Sequence, residues 1–239
     1  MPAPLVEVQG LRFRYPDGTQ ALDGIDFTLE AGESVALFGS NGSGKTTFAM
    51  HLNGLLSGEG IVRICGLPVV ASNMEAIRSK VGMVFQDADS QLFMPTVLED
   101  VAFGLLNCGI APDEAASNAL AALEAVGMAA ARDRAPYHLS AGEKKRVALA
   151  GILSMSPEIL VLDEPTTFLD PPAQRTLADL LRGLPQAKIV VTHNIRFALA
   201  VCQRAVFFER GKIAAHGRIE EIVARFDWDF AFQPSNLDR

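Results

Sequence analysis

The residues best suited to chemistry form a glycine-rich run near the start of the chain, Gly39-Ser40-Asn41-Gly42-Ser43-Gly44-Lys45-Thr46. Its glycines allow successive backbone N–H groups to curl around phosphate oxygens, and Lys45 reaches towards the terminal phosphates of a nucleotide. The Thr46 hydroxyl is a suitable Mg²⁺ ligand, and Thr47 begins a helix-like segment. This pattern is a complete P-loop, or Walker A motif, and it predicts a nucleotide site.

A strand before this loop and a helix after it must hold the loop in place. Residues 33–38 predict a buried strand, and residues 47–56 predict a helix. A glycine-rich turn that binds nothing is the alternative interpretation. We favour the nucleotide site because the whole eight-residue pattern lies between a strand and a helix.

An acidic pair follows a second predicted strand, residues 159–162. Open α/β sheets place their chemistry at the carboxyl ends of parallel strands. Asp163 can hold Mg²⁺ directly or through water, while Glu164 can polarise an attacking water. A salt-bridged pair at a strand end is the alternative for Asp-Glu alone, and the upstream P-loop favours the catalytic interpretation.

Two more predicted strands each end in one polar side chain. Residues 81–85 precede Gln86, whose neutral amide can ligate Mg²⁺ or orient water, and residues 188–192 precede His193. A lone histidine at a strand end is more often a hydrogen-bonded capping group than a catalyst. Three strands that end in groups suited to phosphate chemistry favour a catalytic site in this chain.

A second phosphate-facing motif is Leu139-Ser140-Ala141-Gly142-Glu143, which most P-loop enzymes lack. It precedes a predicted helix over residues 143–153. The Ser140 hydroxyl, free N–H groups and the positive end of the helix dipole would converge on an anion. The motif therefore predicts a second phosphate contact.

From about Leu5 to about Glu221 the chain resembles the nucleotide-binding subunit of an ABC transporter. The resemblance implies the α/β ABC ATPase fold, which is a P-loop NTPase core with an antiparallel β subdomain and an inserted α-helical subdomain. We predict a single domain over residues 1–239, with the helical subdomain at about 87–150 and a short tail at about 222–239. The resemblance also implies ATP and Mg²⁺, and a nucleotide bound between two such subunits.

The family resemblance assigns a role to each motif. Tyr15 corresponds to the aromatic that stacks on adenine, and residues 167–170, which end in Asp170, correspond to the D-loop. Ser140, Ala141, Gly142 and Glu143 form the signature that contacts the γ-phosphate held by the other subunit. The remaining assignments are Gly39, Ser40, Asn41, Gly42, Ser43, Gly44, Lys45, Thr46 and Thr47 for ATP binding, Thr46, Gln86 and Asp163 for the metal, and Glu164, His193 and Gln86 for catalysis.

Two motifs depart from the commonest family pattern. The signature usually has Gly-Gly-Gln where this chain has Ala141-Gly142-Glu143, and the D-loop usually begins Ser-Ala where this chain has Thr167-Phe168. Ala141 keeps the backbone N–H that the signature uses. Glu143 adds a negative charge, and we expect that charge to weaken ATP-driven closure.

Residues 85–104 resemble the energy-coupling factor branch of ABC importers. ATPases of that branch grip short helices of a transmembrane coupling protein, which carries a small membrane protein that binds a vitamin or a metal ion. Each coupling helix presents an arginine, so the resemblance implies Asp87 and Asp89 in the partner groove. An ordinary importer ATPase with another small-molecule substrate is the alternative.

The resemblance predicts an ATPase that drives uptake of a vitamin or transition-metal ion, with biotin, cobalt and nickel as candidates by analogy. We expect a homodimer because every catalytic position is intact. Partner proteins would hold it at the cytoplasmic face of the inner membrane. A non-transport ABC ATPase would need a long coiled-coil insertion or tandem ATPase domains, and a soluble P-loop kinase would not explain residues 139–143 or His193.

Composition supports this interpretation. The net charge of −7 and the pI near 5.1 disfavour nucleic acid and anionic lipid as partners. The one basic run, Lys144-Lys145-Arg146, indicates a solvated face or support of the phosphate side. Three cysteines without a CxxC pattern indicate free thiols and no zinc site. We predict neither a membrane span nor a signal peptide.

The other segments carry weaker signals. Residues 5–29 predict antiparallel strands around Pro16-Asp17-Gly18, residues 207–215 a hairpin, and residues 219–225 a short helix. The tail contains Trp228, Phe230 and Phe232. Its aromatic alternation favours packing against the body of the domain, with an interface to a second subunit as the alternative.

Overall fold

The computed structural model describes residues 3–228, so Phe230, Phe232 and the rest of the predicted tail beyond Trp228 lie outside the described residues. The strands are β1 (Val6–Arg14), β2 (Gln20–Leu29), β3 (Ser34–Phe38), β4 (Glu59–Ile64), β5 (Leu67–Pro68), β6 (Val81–Val84), β7 (Ile159–Asp163), β8 (Ala187–Val191), β9 (Arg204–Glu209) and β10 (Lys212–Gly217). The helices are α1 (Lys45–Leu52), α2 (Met74–Lys80), α3 (Val97–Asn107), α4 (Pro112–Ala125), α5 (Ala141–Leu153), α6 (Pro171–Gly183), α7 (Ile195–Val201) and α8 (Ile219–Arg225).

A four-stranded antiparallel sheet, in the order β2-β1-β4-β5, contains the N-terminal strands. Strands β1 and β2 pair from Val6 opposite Leu29 to Arg14 opposite Gln20. The predicted turn lies between them, where Gly18 has a φ of +90° and donates its N–H to the Tyr15 carbonyl at 2.9 Å. The prediction of antiparallel strands around this turn is confirmed, and Tyr15 lies at the end of β1.

A six-stranded sheet, in the order β10-β9-β3-β8-β7-β6, forms the second layer. All of its neighbouring strands pair in parallel except β10, which pairs antiparallel with β9 in a hairpin. Strands β3, β7 and β8 are buried along their whole length, as their apolar sequences predict. Because these strands run in parallel, the residues that follow them meet at one edge of the sheet.

Helix α1 lies between the two sheets and is fixed there by Phe48. The Phe48 ring packs against Phe27 of β2 and Phe208 of β9, with ring centroids 5.2 and 5.4 Å apart. Phe48 is fully buried, and burial of such a side chain contributes about 1.5–3 kcal/mol. This packing holds the start of α1, and therefore the preceding loop, against both sheets.

The helix after the glycine-rich loop is shorter than the predicted residues 47–56. It begins at Lys45 and ends at Leu52. The Asn53 side chain accepts the Leu55 N–H at 3.1 Å, and Gly54 follows with a φ of +70°. The prediction was wrong at this end because the Asn-Gly pair favours a turn over another helical turn.

Three helices, α3, α4 and α5, lie between β6 and β7 in the chain, and their apolar faces share one core with β6, β7, β8, α6 and α7. Alanines at 115, 119 and 122 allow α4 to pack closely on α3 and α5. These helices occupy the span predicted for the helical subdomain, although α5 continues to Leu153. Among residues 3–228, no helix is long and apolar enough to cross a membrane.

Candidate nucleotide site

The glycine-rich loop connects β3 to α1 and depends on glycine for steric reasons. A Cβ atom at Gly39 would lie 2.2 Å from the Phe208 carbonyl oxygen, and one at Gly44 would lie 2.6 Å from the Ala21 carbonyl oxygen. Both residues also have positive φ angles, +135° and +107°. Gly39 and Gly44 therefore let the loop pass close to the neighbouring backbone and turn into α1.

Lys45 folds back over this loop. Its Nζ donates hydrogen bonds to the carbonyls of Gly39 at 2.6 Å and Ser40 at 2.9 Å. Burial lowers the pKa of Lys45, while the nearby Glu164 and Asp163 carboxylates oppose that change. A buried ammonium beside the free N–H groups at the start of α1 is well placed to bind phosphate.

Thr46 and Asp163 meet at the base of the same pocket. The Thr46 hydroxyl donates to Asp163 Oδ2 at 3.0 Å. Asp163 Oδ1 is buried and has no hydrogen-bond partner among residues 3–228. Burial raises the pKa of Asp163, whereas the Thr46 hydrogen bond lowers it. A hard divalent cation accepts this set of oxygens, so the residues present fit Mg²⁺.

Gln86 follows β6 and lines the pocket that also contains Lys45 and Asp163. Thus the structure brings together all three residues predicted for the metal. Tyr15 lines this pocket as well, and its hydroxyl lies 3.1 Å from Thr47 Oγ1. The stacking of Tyr15 on adenine stays a prediction.

Glu164 follows β7 with a strained backbone, since its φ is +45°. Its N–H donates to the Val191 carbonyl at 2.8 Å, which ties this turn to β8. Glu164 Oε1 is buried without a hydrogen-bond partner among the described residues. Burial raises the pKa of Glu164, and the neighbouring Asp163 carboxylate raises it further. Such a carboxylate is a suitable acceptor for a proton from water.

His193 lies beside this carboxylate at the carboxyl end of β8. Its Nε2 is 3.2 Å from Glu164 Oε1 and 3.1 Å from Asn41 Oδ1. Burial lowers the pKa of His193, and the Lys45 charge adds to that effect. The lowered pKa favours the neutral imidazole, and because Asn41 Oδ1 is an acceptor, this contact favours the tautomer with the proton on Nε2.

The signature residues line a different pocket, which shares no residue with the one around Lys45. Ser140, Ala141, Gly142 and Glu143 lie there with the D-loop residues Phe168, Leu169 and Asp170. The structure thus separates the two predicted phosphate contacts within one chain. One chain alone does not bring the signature to its own P-loop.

Ser140 and Glu143 cap α5 reciprocally. The Ser140 N–H donates to Glu143 Oε2 at 2.8 Å, and the Glu143 N–H donates to Ser140 Oγ at 3.3 Å. Arg134 donates to Glu143 Oε1 at 3.1 Å. The Ser140 N–H, followed by Arg134, holds the pKa of Glu143 below its usual range. The negative charge that we expected to disturb the signature is therefore compensated within the chain.

The D-loop residue Asp170 caps α6 by accepting the Ala173 N–H at 2.9 Å. Phe168, two residues earlier, has a φ of +64° and is 82% exposed. The tight turn is held by the Leu169 N–H, which donates to the Thr166 carbonyl at 3.1 Å. The uncommon D-loop sequence thus presents an aromatic side chain beside the signature pocket.

Asp87 and Asp89, predicted to lie in a partner groove, both have partners within the chain. Asp87 Oδ1 accepts the Asp89 N–H at 3.0 Å, and Asp89 Oδ1 forms an ion pair with Lys144 of α5. The Asp89 side chain is still 68% exposed. Both residues lie directly after Gln86, at the junction between the sheet and the helical lobe.

Lys145 is the residue that sequence reasoning missed. We predicted either a solvated face or support of the phosphate side for this basic run, and Lys145, only 4% exposed, does not belong to a solvated face. Its Nζ donates to the main-chain carbonyls of Gln86 at 2.8 Å and Glu164 at 3.2 Å. Lys145 thus ties the signature helix to both loops of the nucleotide pocket. Leu149, four residues later on the same face of α5, is buried as well, so the helical period was a weak sequence signal for the burial of Lys145.

Comparisons with known proteins agree with this geometry. A model of the ABC transporter family matches residues 22–167. The chain is 50% identical to a protein of Streptomyces avermitilis that is provisionally named an ABC transporter ATP-binding protein, over 98% of this chain and 93% of that protein. It is 47% identical to the energy-coupling factor transporter ATP-binding protein EcfA of Methanothermobacter thermautotrophicus, over 91% of this chain and 72% of that protein.

Solved structures show the same fold. The structure of cbiO1 from Clostridium perfringens, described as part of the ABC transporter complex cbiONQ, has a TM-score of 0.84 at 35% identity and covers 94% of this chain and 92% of its own. A dimeric ATP-binding cassette in a post-hydrolysis state, bound to ADP and Pi, has a TM-score of 0.80 at 27% identity, over 90% of this chain and 98% of its own. The predicted ABC ATPase fold is confirmed. The chain therefore belongs to the ABC transporter family, as an ATP-binding ATPase subunit coupled to transport, and it is similar to the energy-coupling factor branch.

Proposed function

We propose that this chain is the ATP-hydrolysing subunit of an energy-coupling factor importer and that it works as a homodimer. The observation that carries the proposal is the separation of the pocket around Lys45 from the signature pocket. Two copies, arranged head to tail, would place the signature of each against the P-loop of the other. Nucleotide would then hold the two subunits together, and hydrolysis would release them.

In the proposed mechanism, the P-loop N–H groups and Lys45 bind the β- and γ-phosphates, and Tyr15 packs on the base. Thr46, Asp163 and Gln86 would hold Mg²⁺, which when bound neutralises phosphate charge. Glu164 accepts a proton from water as the water oxygen attacks the γ-phosphorus, and ADP leaves with the bridging oxygen. The His193 Nε2–H, aimed between Asn41 and Glu164, donates to a γ-phosphate oxygen.

The membrane partner would dock where the helical lobe meets the sheet. Phe93, just before α3, and Phe103 and Leu106 of α3 expose apolar side chains, and the Phe93 and Phe103 rings pack edge to face, with their centroids 5.0 Å apart. Solvent-exposed aromatic side chains, together with the Asp87 and Asp89 carboxylates a few residues before Phe93, suit a short helix with apolar side chains and an arginine. This surface supports a transmembrane coupling protein as the partner, with a substrate-binding membrane protein beyond it. The chain would then act at the cytoplasmic face of the membrane.

The cargo we propose is a vitamin or a transition-metal ion, with biotin, cobalt and nickel as candidates. Similarity to the EcfA protein and to cbiO1 supports this class. An ordinary ABC importer ATPase with another small-molecule cargo is the second candidate. Purification of the chain with its membrane partners, followed by identification of the co-purified small molecule, separates the two.

Glu164→Gln tests the proposed chemistry. We expect ATP affinity within about threefold of wild type and turnover lower by about 10² to 10⁴, the range for loss of a positioned general base. The variant should also accumulate as a nucleotide-bound dimer in size-exclusion chromatography. Wild-type turnover in the assembled transporter would refute the role of Glu164, and a monomeric variant with ATP bound would refute the shared site.

A further inference from the structure

The chain contains one tryptophan, and that residue packs on the histidine of the nucleotide pocket. The Trp228 and His193 ring centroids are 5.6 Å apart, and the ring planes differ by 24°. Trp228 lies three residues beyond the end of α8, in a segment that the motifs of the nucleotide site do not include. From this contact we infer that Trp228 is a positioning residue that orients His193 for ATP hydrolysis, an inference that rests on the proposed function.

The indole is held by rigid elements on its other sides. The backbone N–H of Trp228 donates to the Val223 carbonyl of α8 at 3.1 Å, which fixes the main chain that carries the indole. The Phe207 ring of β9 meets the indole edge to face, with centroids 5.1 Å apart. Phe226 stacks in turn on Phe207 at 3.8 Å. Since Ile222 and Val223 bury α8 against the same cluster, the indole has a fixed position relative to the sheet.

The stack defines which way the imidazole can point. In the observed orientation His193 Nε2 lies 3.2 Å from Glu164 Oε1 and 3.1 Å from Asn41 Oδ1. Rotation of the ring away from these oxygens would break its near-parallel contact with Trp228. An aromatic pair of this kind is strong enough to change the population of a side-chain rotamer several-fold. Trp228 thus favours the His193 rotamer in which Nε2 can donate a hydrogen bond to the γ-phosphate.

Burial explains why His193 needs such support. Burial lowers the pKa of His193 and favours the neutral ring, whose Nε2 has two neighbouring oxygens, Asn41 Oδ1 and Glu164 Oε1. A neutral imidazole is held by less electrostatic attraction than an imidazolium beside Glu164 would be. Packing against the indole therefore orients the imidazole, because a neutral ring forms no ion pair with Glu164 that could do so.

The first test measures turnover in the assembled transporter for Trp228→Ala and Trp228→Phe. Trp228→Ala should lower kcat about 3- to 10-fold with the KM for ATP within about twofold, and Trp228→Phe, which keeps a ring against His193, should restore most of kcat. Phe226→Leu is the matched control, because Phe226 belongs to the same cluster but stacks on Phe207 instead of His193. An equal kcat loss in Phe226→Leu and Trp228→Ala would overturn the proposal.

A double-mutant cycle with His193→Ala completes this test. If Trp228 acts through His193, adding Trp228→Ala to His193→Ala should lower kcat no further. Independent, multiplicative losses would overturn the proposal. Unchanged turnover in His193→Ala alone would instead remove His193 from the proposed mechanism, and Trp228 with it, while the Glu164→Gln result would still report on the rest of the site.

The fluorescence of the sole tryptophan gives a readout independent of turnover. Its emission should change when Mg-ATP binds the Glu164→Gln variant, because the γ-phosphate then binds the imidazole that packs on the indole. The same titration in Glu164→Gln combined with His193→Ala should leave the emission nearly unchanged, although ATP still binds. An identical emission change with and without the His193 side chain would overturn the proposal.

Discussion

The buried Lys145 gives the most demanding stability prediction. Replacement of Lys145 by Met keeps the length and apolar stem of the side chain but removes the ammonium. Two hydrogen bonds are lost with it, to the carbonyls of Gln86 at 2.8 Å and Glu164 at 3.2 Å. These carbonyls belong to the two loops that present the metal ligand and the proposed catalytic base.

The expected loss of folding stability in Lys145→Met follows from these contacts. A hydrogen bond to a charged donor contributes about 1.5–3 kcal/mol, and both acceptors lie where the lysine excludes water. Removal of the buried charge offsets part of this loss, because burial already disfavours the ammonium and lowers its pKa. We therefore expect a net destabilisation of about 2–3 kcal/mol, which corresponds to a fall in Tm of about 5–10 °C for a chain of this size.

Lys144→Met is the matched control. Lys144 has the same side chain one residue earlier, but its partner Asp89 is 68% exposed. The Lys144 side chain is 17% exposed, but its partner carboxylate lies in solvent, so this ion pair contributes about 0–1 kcal/mol and the control should shift Tm by no more than about 3 °C.

Thermal unfolding of the purified chain, followed by circular dichroism with and without Mg-ATP, measures both variants. ATP turnover should fall at least about tenfold in Lys145→Met, because small displacements of Gln86 and Glu164 misplace the reacting groups. Equal Tm shifts in the two lysine variants would refute the reasoning. Wild-type turnover in Lys145→Met would refute the link between this lysine and the site.

Two further predictions concern carboxylates. The folded-state pKa of Glu164 is raised above its ordinary value, so the ionised carboxylate destabilises the folded chain at pH 7, and this destabilisation is lost as the pH falls below the folded-state pKa. Glu164→Gln should therefore raise Tm at pH 7 by about 2–4 °C, with a smaller gain at acid pH. A Tm lower than that of the wild type at pH 7 would contradict this prediction. Asp87→Ala combined with Asp89→Ala should leave ATP binding by the isolated chain within about threefold but weaken assembly with the membrane partner in a pull-down assay, because it removes both carboxylates proposed to pair with the partner's arginine. The control for this double variant is Asp133→Ala, which removes an exposed carboxylate that pairs with Arg132 in the helical lobe. Undiminished assembly of the double variant would refute the partner groove.

Local sequence patterns were sufficient for the parts of the site that depend on neighbouring residues. The P-loop is one continuous run, and its glycines meet close backbone contacts at Gly39 and Gly44 that no other residue would allow. The apolar strands predicted before Gln86, Asp163 and His193 are parallel neighbours in one sheet, so their ends meet as expected. Periodicity and motif spacing carry this information because each element is short and buried on both faces.

Element ends were less predictable. Helix α1 stops four residues early, where Asn53 and Gly54 form a turn. The helix predicted to begin at Glu143 begins at Ala141, because Ser140 and Glu143 form a capping box at its start. The Ser-x-x-Glu pattern of this box is present in the sequence, but it indicates a helix start only when the helix is already known. Caps depend on a few hydrogen bonds, and small differences in free energy decide them.

The amino-acid sequence by itself determined the fold family, the class of nucleotide and the residues that could contact it. Only the tertiary structure decided which side chains support them: Lys145 reaches the Gln86 and Glu164 carbonyls, Arg134 compensates Glu143, and Trp228 packs on His193. These pairs are separated by 9 to 59 residues. Their contacts depend on how helices and sheets pack, and no local pattern of charge or periodicity encodes that packing.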